Sequence, residues 1–223
     1  MKPYYERNGI TIYHGDCREI LPVVSVGANA LVTDPPYGIG WARATWGDSP
    51  AAYPDLMRWL VGEGNRIGGW SFVFQSMVNV GKFHEWFPDG FRIFAACKNF
   101  AQIRPTGVWH SWDPVVFWNS GPNSGPNSGH VNRDYHVGNV AAHLGERVGH
   151  PSPRPLDTMR HIVQLAAAHG SSVVDPFMGS GTTLVAAKGT GRKALGIEIE
   201  ERYCEIAAKR LEQDVLPLEW TGA

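Results

Sequence analysis

The chain has 223 residues, a formal net charge of −1 at pH 7 and 43% hydrophobic residues. This length fits one domain, residues 1–223, that can bury a core without disulfides or a structural metal. Because the net charge is close to zero, any binding to nucleic acid must come from local clusters of Lys and Arg. The nine tryptophans are many for this length, and they need a place in the core or on a surface that stacks on a ligand.

The three cysteines, Cys17, Cys97 and Cys204, are odd in number and lie far apart in the chain. They form no CxxC pair, so we expect neither a disulfide framework nor a metal site. The first residues lack the apolar core of a signal peptide, and no stretch approaches the roughly 20 apolar residues that span a bilayer. These features predict a cytoplasmic protein that does not enter a membrane.

Seven apolar runs bounded by turn residues predict β-strands. In chain order they cover residues 10–13, 30–33, 70–74, 91–97, 115–118, 172–175 and 194–199. Helical patterns cover residues 53–62, 80–86, 182–188 and 201–213, and Leu156, Met159, Val163 and Ala166 share one face of another helix. Strands that alternate with helices predict an α/β protein with a seven-stranded, mostly parallel sheet and helices on both faces.

Two stretches depart from this alternation. Residues 119–155 include the tetrapeptide Gly-Pro-Asn-Ser twice in succession, a composition typical of a flexible, turn-rich loop. Residues 38–50 directly follow a strand end and contain Trp41, Arg43 and Trp46. Their position makes this second stretch a candidate lid over a binding site.

A glycine-rich turn follows the predicted strand 172–175, in the sequence Asp-Pro-Phe-Met-Gly-Ser-Gly-Thr-Thr. Gly179 and Gly181 permit a tight turn, and the next helix directs free N–H groups at a carboxylate or phosphate. Glu198 ends the following strand, where an acid can accept hydrogen bonds from ribose hydroxyls. The two glycines alone are equally typical of a structural turn, but this order of elements favours a nucleoside ligand.

The glycine-rich loop and the free N–H groups of the helix after it indicate which nucleoside ligand binds. The loop lacks the third glycine of the dinucleotide fingerprint, which disfavours NAD. A ligand with one ribose and one carboxylate fits better, and S-adenosylmethionine has both. We therefore expect S-adenosyl-L-methionine as the cofactor.

A second motif, Asp34-Pro35-Pro36-Tyr37, follows the predicted strand 30–33. An amine on a nucleobase is a poor nucleophile because its lone pair is delocalised into the ring. Asp34 can offer a carboxylate oxygen and Pro35 a carbonyl oxygen to the amine protons, while Tyr37 offers a face on which the base stacks. Such a turn can also be purely structural, but next to a cofactor loop it predicts a catalytic amine clamp.

These two motifs resemble those of the DNA amino-methyltransferases, which carry Asp-Pro-Pro-Tyr and Asp-Pro-Phe-x-Gly-x-Gly. The resemblance covers nearly the whole chain. It implies a Rossmann-like methyltransferase fold, and the catalytic motif preceding the cofactor motif resembles the circularly permuted, beta-type order. In that arrangement the strands at 30–33 and 172–175 lie side by side, so that both motifs meet in one crevice.

The resemblance also implies which residues bind the cofactor. Gly15, Asp16 and Cys17 match the segment that contacts adenine, and residues 150–156 match the segment that helps hold the methionine end. The family usually has Lys at the position of Arg154, and Lys98 and Trp112 fall in regions that match weaker motifs. The implied cofactor-binding residues are Asp16, Cys17, Asp34, Arg154, Pro155, Asp175, Pro176, Phe177, Gly179, Ser180, Gly181, Thr182, Thr183 and Glu198.

The implied substrate is double-stranded DNA, because members of this family flip a base out of the duplex into the pocket. We expect residues 119–149 to recognise the target sequence. The candidate DNA contacts are Trp41, Arg43, Trp46, Arg133, Tyr135 and Arg147. So small a recognition region predicts either a short recognition site or a second subunit, as in a homodimer. The sequence does not identify a partner restriction nuclease.

The target base and two other functions stay open at this point. Within the family, Asp at the first clamp position is commoner for the N6 amine of adenine and Ser for the N4 amine of cytosine, so Asp34 favours adenine. Carbon-5 methylation of cytosine needs a thiolate nucleophile, and none of the cysteines follows a proline as that nucleophile does. The other functions are a catalytically silent binding protein and a methyltransferase for RNA or protein glutamine, whose clamp usually begins with Asn.

Overall fold

A computed structural model describes residues 1–24, 28–38, 49–103, 109–121, 133–139 and 154–213. The strands within these ranges are β1 (Tyr5–Arg7), β2 (Ile10–His14), β3 (Ala30–Thr33), β4 (Trp70–Phe74), β5 (Arg92–Ile103), β6 (Trp109–Asn119), β7 (Tyr135–Gly138), β8 (Ser172–Asp175) and β9 (Lys193–Glu198). The helices are α1 (Cys17–Ile20), α2 (Tyr53–Ile67), α3 (Phe83–Trp86), α4 (Leu156–Ala166), α5 (Thr182–Gly189) and α6 (Glu201–Glu212).

The strands form one mixed sheet in the order β1-β2-β9-β8-β3-β4-β6-β5-β7. The five strands from β2 to β4 in this order are mutually parallel. Strand β6 runs antiparallel to both of its neighbours, so β5 and β7 point the same way as the parallel strands. The α/β class and the mostly parallel sheet are confirmed, and the carboxyl ends of seven strands lie along one edge.

The prediction of seven strands was wrong in number, because the described residues contain nine. Strand β1 has no apolar run, and it pairs with β2 through the two-residue turn Asn8-Gly9, whose φ angles are +50° and +77°. Asn-Gly between two strands is a strong hairpin signal, so this strand was recognisable from the sequence. Strand β7 lies within 119–149, where the repeat had suggested irregular structure throughout.

Helices cover both faces of the sheet, as predicted. Neighbouring residues of β3 point to opposite faces: Val32 joins a core cluster with α4, α5 and α6, while Leu31 joins a second cluster with α1, α2 and α3. The predicted helix 80–86 is divided into a 3-10 turn, Met77–Lys82, and the short helix α3. No helix among the described residues is long and apolar enough to cross a membrane.

Two glycines in α2 provide a matched test of the packing of this helix on the sheet. A Cβ atom on Gly64 would lie 2.6 Å from Ser71 Oγ and 2.7 Å from an atom of the Trp118 ring, whereas a Cβ on Gly62 would meet nothing within 4 Å. We expect Gly64→Ala to lower the free energy of unfolding by about 1 to 3 kcal/mol. Gly62→Ala should raise it by about 0.5 to 1 kcal/mol, because alanine favours the helix. Urea unfolding of both variants measures the difference, and equal effects would contradict this packing.

Candidate active site

The Asp-Pro-Pro-Tyr motif begins immediately after β3, at the edge formed by the carboxyl ends of the strands. The Tyr37 hydroxyl donates a hydrogen bond to Asp34 Oδ1 at 2.5 Å. The Asn79 side-chain amide, in the turn after the neighbouring strand β4, donates to the Tyr37 carbonyl at 3.0 Å. Burial raises the pKa of Tyr37 well above its usual value, so the phenol stays protonated as a donor. The clamp therefore has a defined shape before any ligand enters.

Arg154 lies directly against this clamp, between the two halves of the crevice. Its Nε donates to Asp34 Oδ2 at 2.6 Å and its Nη2 to Asp34 Oδ1 at 3.0 Å. Nη2 also contacts the Tyr37 hydroxyl, and the guanidinium carbon lies 4.6 Å from the centre of the Phe74 ring. The resemblance associated Arg154 with the methionine end of the cofactor, whereas the structure shows its guanidinium bound to the Asp34 carboxylate.

A second carboxylate, which the sequence analysis missed, holds Arg154 from another side. Asp113 Oδ2 lies 2.5 Å from Arg154 Nη1 and 2.9 Å from Lys98 Nζ. Burial alone would raise the pKa of Asp113, but Arg154 and Lys98 lower it below its usual value. Asp113 reaches this edge because β6 is antiparallel, so that an early residue of the strand lies beside the carboxyl ends of its neighbours. The sequence offers little indication of a site at Asp113, because no apolar run ends there as one does before Asp34.

The glycine loop is held from two directions. Glu198 Oε2 accepts a hydrogen bond from the Gly179 N–H at 3.0 Å, and Arg210 Nη1 donates to the Ser180 carbonyl at 2.6 Å. Gly181 has a φ of +78°, and a Cβ atom there would lie 2.7 Å from Ala207 Cβ, so glycine is required at this position. Helix α5 begins at the next residue. The predicted order of strand, glycine turn, helix, strand and acid is present.

Glu198 is also fixed at its other oxygen. Oε1 accepts a hydrogen bond from the Glu200 N–H at 2.9 Å. Burial raises the pKa of Glu198 above its usual value, while these backbone N–H groups act against that shift. The Ile199 N–H also donates to this carboxylate. A carboxylate has about four acceptor positions, so one remains for a ligand hydroxyl.

Two recesses open on either side of Phe177, which lines both. The first recess is lined by Asp34, Arg154, Met159, Asp175, Phe177, Met178, Gly179, Ser180, Thr182 and Thr183. The second is lined by Gly15, Asp16, Cys17, Pro176, Phe177, Glu198 and Ile199. The structure thus brings nearly all the predicted cofactor residues to two neighbouring recesses that share Phe177. Pro155 lies beside it as the residue preceding α4, and Gly181 forms the N-cap of α5.

Asp175 joins the two motifs beneath the crevice. Strands β3 and β8 are paired in parallel, and Thr33 Oγ1 donates to Asp175 Oδ1 at 2.7 Å. The Phe177 N–H donates to the same oxygen at 3.1 Å. Burial raises the pKa of Asp175 to about 6, although hydrogen bonds from Thr183, Thr33 and Phe177 act to lower it. Asp175 is 2% exposed, which is why its charged form is disfavoured.

The cysteines do not provide a reactive thiolate. Burial raises the pKa of Cys17 and of Cys204 to about 12, and it also raises the pKa of Cys97. All three side chains are free thiols. Among the described residues, no group of three or more His, Cys, Asp or Glu side chains is placed to hold a metal ion.

Two of the predicted DNA contacts lie in the described residues, at the β7 edge of the sheet. Arg133 Nη1 donates to the Tyr135 hydroxyl at 3.0 Å, and the guanidinium lies over the Tyr135 ring at 5.6 Å. Tyr135 is 41% exposed, so its ring is available to a partner. The other predicted contacts, Trp41, Arg43, Trp46 and Arg147, lie outside the described residues, as does most of 119–149.

Comparison with known proteins agrees with this geometry. A family model described as "DNA methylase" matches residues 101–209, which include the glycine loop and Glu198. The type II methyltransferase M.ScaI of Streptomyces caespitosus is 26% identical over 97% of this chain and 86% of its own length. That alignment also spans the Asp34 clamp. The chain is thus similar to DNA methylases over residues 101–209 and to a type II methyltransferase over most of its length.

Solved structures share the fold. The crystal structure of M1.HpyAVI with S-adenosylmethionine, 24% identical, has a TM-score of 0.69 and covers 91% of this chain and 98% of that one. The cytosine-N4-specific PvuII DNA methyltransferase, 18% identical, also has a TM-score of 0.69 and covers 96% and 90%. At these identities the likeness establishes the α/β methyltransferase fold.

The raised pKa of Asp175 predicts a pH-dependent stability. The folded protein holds this proton more tightly than the unfolded chain does. Its contribution to the free energy of unfolding is therefore complete below the usual pKa of 3.8 and is lost as the pH rises through about 6. Between about pH 4 and pH 7, the free energy of unfolding of the wild type should fall by on the order of 2 to 3 kcal/mol relative to that of Asp175→Asn. Urea unfolding at a series of pH values tests this. The exposed Asp55→Asn serves as control, and parallel curves for Asp175→Asn and wild type would refute it.

Proposed function

We propose that this protein is a site-specific, S-adenosylmethionine-dependent DNA methyltransferase that transfers a methyl group to the N6 amine of a flipped-out adenine. One observation carries the proposal. The parallel pairing of β3 with β8 places the Asp34 clamp and the glycine loop on one crevice, with Asp34 and Asp175 lining the same recess. An enzyme that transfers a methyl group from a nucleoside cofactor to an amine needs both sites within reach of each other.

The residues present fit S-adenosylmethionine. The start of α5 and the guanidinium of Arg154 offer N–H donors for a carboxylate in the first recess. Glu198, in the second recess, retains an acceptor position for a ribose hydroxyl beside Asp16 and Cys17. Phe177 lies between the two recesses and offers an aromatic face. When bound, this cofactor supplies an electrophilic methyl group on a sulfonium sulfur.

The clamp is suited to activating an exocyclic amine. Asp34 carries a carboxylate that accepts a hydrogen bond from the amine, and the Pro35 carbonyl provides a second acceptor. These bonds draw the nitrogen toward tetrahedral geometry and free its lone pair for attack on the methyl group. As the nitrogen becomes positively charged, the Asp34 carboxylate stabilises that charge in a site already arranged for it. Asn79 maintains the arrangement through the Tyr37 carbonyl.

The choice of adenine rests on Asp34 at the first clamp position, by the resemblance to the family. N4 of cytosine presents an amine of the same geometry and is the alternative target. Carbon-5 of cytosine is disfavoured because the pKa values of the cysteines are raised, leaving no thiolate to attack the ring. A catalytically silent protein is the second function to test, since the described site is compatible with cofactor binding alone.

We propose double-stranded DNA as the substrate, with residues 119–149 contributing to recognition of the site. Arg133 and Tyr135 combine a cation with an exposed ring at the edge of this region, a pairing suited to phosphate and base contacts. A small recognition region fits a short DNA recognition sequence, or a homodimer in which the second subunit makes further contacts with the DNA. Because relatives are named type II methyltransferases, we include a role in restriction and modification in this proposal.

Asp34→Asn tests the clamp while preserving the shape of the side chain. We expect kcat for methyl transfer to fall by about 100-fold or more, because a preorganised charge is lost from the reacting centre. The dissociation constant for S-adenosylmethionine, measured by calorimetry, should change much less. The more severe Asp34→Ala should abolish transfer. Asp55→Asn, in an exposed ion pair on α2, is the control, and normal turnover by Asp34→Asn would refute the mechanism.

The target base is tested by incubating the purified protein with duplex DNA and labelled S-adenosylmethionine, followed by sequencing that identifies modified bases directly. We expect N6-methyladenine within a short recurring sequence. N4-methylcytosine would show that the base was assigned wrongly while leaving the amine mechanism in place. Tight cofactor binding with no transfer to any DNA would favour the silent protein.

A further inference from the structure

Four charged side chains form a continuous network across the crevice. Lys98 on β5 pairs with Asp113 on β6, Asp113 pairs with Arg154 before α4, and Arg154 pairs with Asp34 after β3. The three distances are 2.9, 2.5 and 2.6 Å. Charges therefore alternate from the outer strands to the clamp, and the network joins groups that are up to 120 residues apart in the chain.

In this arrangement most of the acceptor positions on Asp34 are occupied. Arg154 donates to both Asp34 oxygens through two different nitrogens, and the Tyr37 hydroxyl donates a second hydrogen bond to Oδ1. A carboxylate offers about four acceptor positions in all, so three are in use and one remains, on Oδ2. An amine that is to bind Oδ1 must displace Arg154 or the Tyr37 hydroxyl from that oxygen.

Displacing Arg154 leaves a buried cation that needs another partner. Its side chain is 15% exposed, and an unpaired charge in such surroundings is strongly unfavourable. Asp113 supplies a partner that does not compete with the base, because it binds a different nitrogen, Nη1, from a different strand. Lys98 contacts the same Asp113 oxygen and keeps that carboxylate oriented.

We propose that Asp113 is a positioning residue for methyl transfer, which retains Arg154 when Arg154 releases Asp34 to the target amine. Lys98 orients Asp113 for this task. The proposal rests on the proposed function, since it presumes that an amine binds Asp34. Arg154 is then a movable group with two carboxylate partners, Asp34 and Asp113, and only Asp34 binds the substrate.

A double-mutant cycle separates this role from a merely structural ion pair. Asp113→Asn should lower kcat/KM for DNA by about tenfold or more, because Arg154 then stays on Asp34, and Asp113→Glu should restore part of the loss. In the background Arg154→Gln, which carries no cation to retain, Asp113→Asn should change kcat/KM by less than about twofold. Equal effects of Asp113→Asn in both backgrounds, or wild-type kcat/KM in the single variant, would overturn the proposal. Glu205→Gln, in an exposed ion pair on α6, is the matched control.

A second measurement does not depend on turnover. Hydrogen exchange at Arg154 Nη1, the nitrogen that Asp113 binds, is followed by NMR of the full chain labelled with 15N-arginine and assigned by Arg154→Gln, and it reports whether Asp113 holds the guanidinium. Exchange should remain slow in Asp34→Asn and become fast in Asp34→Asn with Asp113→Asn. Fast exchange in Asp34→Asn alone would contradict the proposal that Asp113 holds Arg154 after its release from Asp34. If wild type transfers no methyl group to DNA, the proposed function fails, while this result still decides whether Asp113 holds Arg154.

Discussion

The parallel pairing of β3 with β8 is the constraint on which the site depends. Ala30 lies opposite Val173 and Leu31 opposite Val174, so the two strands end at the same edge and release their loops side by side. The hydrogen bond from Thr33 to Asp175 joins the strand ends beneath those loops. Side chains alternate between the two faces of the sheet. A shift of β3 by one residue relative to its neighbours would therefore move each of its side chains, such as Leu31 and Val32, into the core on the opposite face. The core therefore holds the register, and the register keeps the Asp-Pro-Pro-Tyr motif next to the glycine loop.

Electrostatics inside the crevice follow from one buried cation. Asp34, Tyr37 and Asp113 raise the pKa of Arg154 well above its ordinary value, against the opposing effect of burial, so the guanidinium stays charged. It neutralises carboxylates that would otherwise repel one another. Under the proposed function, the same group stabilises the site without ligands and competes with the target amine for Asp34. Such a conflict between stability and function is typical of active sites.

Local patterns predicted much of this molecule, and long-range contacts account for most of what they missed. Apolar runs located seven strands, and the two motifs at strand ends located the clamp and the glycine loop. Asp113 was missed because it lies early in an antiparallel strand, and Arg210 because it reaches the glycine loop from α6. Neither position has a local pattern that differs from an ordinary surface charge. By contrast, β1 was missed although its Asn8-Gly9 turn carried a readable signal.

The place of β2 in the sheet has a consequence for the order in which the molecule forms during synthesis. Strand β2 pairs with β9, and His14 Nε2 lies 3.1 Å from the Ile199 carbonyl, 185 residues later in the chain. The second recess combines residues from these two distant segments. A chain leaving the ribosome must therefore keep the β2 edge unpaired until almost all the described residues have emerged. The pairing of β2 with β9 is consequently a late step in the formation of the sheet, and such non-local pairing is intrinsically slow.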